Sequence, residues 1–160
     1  FTEREQQQIR VFSIPDMQPL DNGGFKVFED ETDINLKLPM GIALYKSPID
    51  SSLYAIVGRK TGPQKGYLYQ YKLEPKESKF TAKLVRKFGQ FSQKKEIEAI
   101  AVDEEMGFVY YADEMHCIRK YYAEPSKGSK EISCFGGDKF LEDIEGIAIA
   151  KMKNKQGFLI

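Results

Sequence analysis

Two glutamates occupy the same place in a phrase that occurs twice. Glu96-Ile-Glu-Ala-Ile-Ala-Val-Asp103 returns as Asp143-Ile-Glu-Gly-Ile-Ala-Ile-Ala150, so Glu98 and Glu145 are equivalent positions. An acid-free version, Pro39-Met-Gly-Ile-Ala-Leu-Tyr45, precedes them. A third acid, Glu114, closes the run Tyr110-Tyr-Ala-Asp-Glu114. Carboxylates brought together repel, and unless protonated or paired they require a cation; hard oxygen donors favour Ca2+ or Mg2+. Arg59 and Lys60, in Val57-Gly-Arg-Lys-Thr-Gly62, add two cations at the end of another apolar run. Cations beside a carboxylate cluster suit an anionic ligand that also touches metal, and phosphate fits that description. A lone acid or a basic pair at a strand end is commonly a solvated turn. The repeated placement of Glu98 and Glu145 is what argues for convergence.

Other chemistries find less support. The Arg59-Lys60 segment lacks the spacing of a phosphate-binding P-loop. His116 is the single histidine and reads as a surface residue, which excludes most histidine-rich transition-metal sites. No Gly-x-Ser-x-Gly nucleophile elbow is present. Lys94 and Lys95 read as local charge balance for Glu96. Two cysteines, Cys117 and Cys134, are too few for a disulfide framework. Pairing Tyr121 with Lys130 and Arg119 with Ile132 sets them opposite each other. Two buried free thiols are the expectation, with a cross-strand disulfide as the alternative.

Short strands must position these residues. Apolar runs bounded by turn residues predict strands over 9–14, 24–29, 41–45, 53–58, 67–73 and 84–88. Further strands are predicted over 99–102, 108–112, 117–122, 131–135, 146–150 and 158–160. Residues 3–9 are the one weak helical candidate. In each quartet the first two strands are apolar on both faces, as inner strands should be. The third alternates, Tyr67, Tyr69 and Tyr71 against Leu68, Gln70 and Lys72, which predicts an outer, half-exposed strand. Four-stranded units of about 45 to 55 residues that repeat one phrase at one strand predict an all-β fold, a β-propeller of antiparallel blades. A jelly roll would not repeat the phrase. In a blade the start of the first strand and the end of the second share a rim, so Glu98, Glu114 and Glu145 should converge there.

At 160 residues the chain suits one domain. Lys plus Arg and Asp plus Glu number 24 each, so no net charge draws it to nucleic acid or an anionic membrane. No apolar run approaches the ~20 residues of a membrane-spanning helix. Both termini are expected to be cuts through a larger domain, residues 1–160 being part of one propeller.

The segments Pro39 to Lys46, Tyr54 to Gly62, Lys94 to Asp103 and Asp143 to Ile149, in this order and spacing, resemble the β-propeller (alkaline) phytases. The resemblance runs from about Gly24 to the end. It implies a six-bladed propeller, of which this chain is about three blades. It further implies several Ca2+ ions at one end of the channel and hydrolysis of inositol hexakisphosphate (phytate) as a 3-phytase. On these positions the family places calcium-binding acids at Glu98, Glu114 and Glu145 and a phosphate-contacting lysine at Lys60, with Arg59 beside it. Lys60, Glu98 and Glu114 thereby become the expected catalytic residues, and Arg59 and Lys60 the substrate-binding ones. Met40 stands where well-known members have a tyrosine. Their Asp-Asp-Pro-Ala-Ile-Trp and Asn-Asn-Val-Asp-Ile-Arg segments are not in this chain. The resemblance also implies a secreted or periplasmic protein, monomeric when full length. The competing function is a non-catalytic, calcium-stabilised interaction propeller.

Overall fold

The computed structural model describes residues 1–140 and 142–160. Strands β1 (Thr2–Glu3), β2 (Gln8–Ile9) and β3 (Phe25–Lys26) form a small antiparallel sheet in that order. The next sheet is an up-and-down meander of β4 (Pro39–Lys46), β5 (Leu53–Arg59), β6 (Lys65–Lys76) and β7 (Lys79–Gln90). A second meander follows, of β8 (Ile100–Asp103), β9 (Phe108–Asp113), β10 (Cys117–Tyr122) and β11 (Ser133–Phe135). Strands β12 (Ile149–Lys151) and β13 (Gly157–Leu159) pair last. Among the described residues helix is limited to short 3-10 turns such as Ile34–Lys37.

Local chemistry explains the meanders. Between β4 and β5 the Asp50 carboxylate accepts from the Ser52 backbone N–H (3.0 Å) and hydroxyl (2.7 Å), closing the turn. Between β8 and β9 the Met106 N–H donates to Asp103 Oδ1, and Gly107 takes the positive φ of 69° that the turn needs.

The sheets stack face to face. Ala55, Val57, Tyr69, Tyr71 and Leu73 pack on Ile9 of the first sheet and on Val27 and Phe28 just beyond β3. On the opposite face Tyr54, Ile56, Leu68 and Phe88 meet Val109, Tyr111, Tyr121 and Ala123. Ala99, Ala112 and Ile118 carry the stacking on to Ile144, Ile147 and Leu159. The first strands β1, β4, β8 and β12 neighbour one another in turn. Gly41 in β4 is required by that approach, since a Cβ there would lie 2.0 Å from the Glu98 carbonyl oxygen.

Several expectations are corrected. Strand β6 is buried on both faces, not half-exposed: its alternation separates two packed faces, and Gln70 donates from Nε2 to the Ala123 carbonyl at 2.9 Å. The first strands β4 and β8 are only partly buried, because each is hydrogen-bonded on one side alone. Residues 3–9 form no helix; a turn joins β1 to β2. The cysteines are not free thiols. Arg119 pairs with Cys134, two residues from the expected register, and Cys117 and Cys134 are bonded across the diagonal with Cα atoms 5.7 Å apart.

Candidate active site

Glu98 lies just ahead of β8, Glu114 just beyond β9, and Glu145 in the segment leading to β12. Antiparallel pairing of β8 with β9 puts the start of one beside the end of the other. The ladder continues past the strands, with the Glu114 N–H donating to the Glu96 carbonyl at 3.3 Å. The Glu98 and Glu145 carboxyls lie near enough for Glu145 to favour the protonated form of Glu98. Burial pushes the Glu98 carboxyl above its ordinary range, and Glu145, Glu96 and Glu114 push it in the same direction. Glu114 is almost wholly buried and is also raised, first by burial and then by Glu96 and Glu145. Lys95 and the Ile144 backbone N–H oppose that rise.

Three residues outside the expected set belong to this cluster. Glu96 Oε2 is buried and has no hydrogen-bond partner. Asp143 pairs with the Lys95 ammonium, which also lies 3.9 Å from Glu114 Oε2. A signal for the two acids was present: Glu96 and Asp143 head the repeated phrase two places before Glu98 and Glu145. In extended chain, positions i and i+2 share a face.

Lys60 is exposed directly after β5, its N–H donating to the Leu38 carbonyl at 2.8 Å. It lines a cavity of 400 Å³ with Asn35, Leu38, Thr61, Lys95 and Glu96, which brings it to the border of the acid cluster. Arg59 is not brought there, and its expected substrate contact is corrected. Its side chain is completely buried. Nη1 donates to Glu31 Oε1 (2.7 Å) and the Leu36 carbonyl (3.0 Å), Nη2 to the Gly66 carbonyl, and Nε to the Tyr67 carbonyl. The guanidinium also lies over the Phe28 and Tyr69 rings, 4.5 and 4.8 Å from their centroids. Strand alternation puts Arg59 on the face of Ala55 and Val57, where Phe28 and Tyr69 enclose it, and Lys60 emerges at the rim.

His116 approaches the disulfide, with Nε2 3.9 Å from Cys134 Sγ. Because the two sulfurs are bonded to each other, this group offers no thiolate to a metal.

Stacked four-stranded antiparallel sheets define an all-β protein, with Glu98, Glu114, Lys60 and Lys95 near one rim. Among the described residues no three of the acids bring carboxylate oxygens within 4.8 Å of one another. The model of the Phytase family matches residues 5–160. The 3-phytase of Bacillus subtilis (strain 168) is 34% identical over 146 residues, which is 88% of this chain and 36% of that protein. The chain belongs to the Phytase family. It spans about a third of the length of the curated relative it matches.

Proposed function

We propose that this chain is part of a calcium-dependent phosphomonoester hydrolase that releases inorganic phosphate from inositol hexakisphosphate, a 3-phytase. Within it the two meanders and the flanking sheets serve as about three blades of a six-bladed propeller. Family membership and the activity named for the relative support the reaction class; side-by-side first strands support the radial arrangement. The observation that carries the metal is the orphaned Glu96 Oε2 amid Glu98, Glu114 and Glu145. A donor set made of carboxylate oxygens fits Ca2+, which takes six to eight oxygen ligands.

Glu96, Glu98, Glu114 and Glu145 would hold the ions, together with acids from the rest of the domain. Bound there, calcium supplies neutralisation of the phosphate charge and a more acidic water. The Lys60 ammonium, exposed at the rim of the cavity, would take a phosphoryl oxygen and stabilise the charge that shifts onto it. Burial and the neighbouring acids raise the proton affinity of the Glu98 carboxyl while no cation is bound. A bound cation would reverse that, so Glu98 would serve the reaction as one of its ligands. Arg59 takes no part in this chemistry. It keeps β5 and β6 in place beneath Lys60.

The Cys117–Cys134 bond suits an oxidising compartment, which supports secretion or export to the periplasm. Phosphate release from phytate by the intact protein, measured in calcium and again in chelator, tests the reading. Calcium binding without phosphate release would leave the interaction module as the better description.

A further inference from the structure

Lys95 is treated by its sequence context as a neighbour balancing Glu96, yet its ammonium turns elsewhere. It pairs with Asp143 and lies 3.9 Å from the buried Glu114 Oε2. The adjacent Lys94 points away, donating to the Met115 carbonyl at 3.2 Å. Lys95 also lines the cavity that holds Lys60. One flexible side chain therefore joins the acid cluster to the phosphate cavity.

We propose that Lys95 is a tethered counter-cation, competing with the divalent ion for Glu114 and Asp143 and facing substrate phosphate beside Lys60 once displaced. This rests on the calcium-phytase reading above. A divalent ion outbids a single ammonium for a carboxylate because it brings twice the charge to the same oxygens. It also repels the ammonium it displaces. The long lysine stem with three rotatable donors can move between partners, which a rigid guanidinium fork does less readily. The displaced group need only turn toward the cavity it already lines. Cation occupancy and a second phosphate-binding ammonium are thereby coupled.

Lys95→Gln and Lys95→Arg in the intact protein test this, by calorimetric titration with Ca2+ and by melting with and without EDTA. The Gln variant should bind Ca2+ about threefold to fivefold more tightly, the scale of losing one partly exposed ion pair. It should melt lower than wild type in EDTA and equally in saturating calcium. In saturating calcium it should bind inorganic phosphate more weakly, and Lys95→Arg should restore wild-type behaviour in large part. A merely structural lysine would leave calcium affinity unchanged or weaker on substitution, and that result overturns the proposal while wild type still binds calcium. If wild type binds no calcium, the metal reading itself fails and this inference with it.

Discussion

Lys60 reaches the cavity it shares with Glu96, while the preceding Arg59 is enclosed by Glu31, Phe28 and Tyr69. The two cations should therefore respond oppositely to removal. Lys60→Ala in the intact protein should lower phytate turnover by about a hundredfold, the loss expected for one preorganised donor to developing charge. Its melting temperature in calcium should be unchanged. Arg59→Ala should instead cost about 3 kcal/mol of stability, because Glu31 and several carbonyls lose a buried partner. Chemical denaturation of the two variants side by side measures the contrast. Glu96→Gln gives a third readout: with one carboxylate fewer, the protein should melt higher in EDTA, and the rise on adding calcium should shrink. An unchanged calcium response would remove Glu96 from the ligand set.

At the scale of elements, Gly41 decides how closely β4 approaches β8. A methyl group there would collide with the Glu98 carbonyl, part of the rigid backbone that presents the Glu98 carboxyl. Gly41→Ala should cost about 1–3 kcal/mol as an overpacked contact and weaken calcium binding as well. Calorimetry of the variant should show both effects; normal calcium affinity would mean that the acids tolerate displacement of their strand. The disulfide spans 17 residues and ties β10 to β11 just beyond the turn that carries Glu114. Reducing it should lower stability by about 3 kcal/mol, the entropy of closing a loop of this length. Urea unfolding with and without a phosphine reductant is the measurement. Sequence patterning identified β4 to β10 well, since each is an apolar run between turn residues. It misjudged β6, whose tyrosine face and whose leucine and glutamine face each meet another sheet.

For the whole molecule, the proposed calcium site would link folding to cation binding through the carboxylates at one rim. A ligand held only by the folded state adds about 2.7 kcal/mol at a hundredfold excess over its Kd. Without it, Glu96, Glu98, Glu114 and Glu145 repel, and Lys95 offsets only part of that repulsion. The intact protein should therefore melt lower in chelator and lose phytate hydrolysis in the same titration. Inactivation with an unshifted melting curve would assign the metal to substrate alone.

The amino-acid sequence by itself determined the all-β class, most strand positions and the equivalence of Glu98 with Glu145, because these are written in local periodicity and in a repeated phrase. The placement of Glu114 beside the segment leading into β8 was also legible, since antiparallel pairing joins the end of one strand to the start of its neighbour. Only the tertiary structure decided which of Arg59 and Lys60 reaches solvent, because that depends on what packs against β5 from another sheet. It likewise decided the β10–β11 register that joins Cys117 to Cys134, and the turn of Lys95 toward Glu114 and Asp143. The register is set by pairing within one sheet, whereas the other two outcomes follow from contacts between sheets, where residues distant in the chain meet only when the sheets stack.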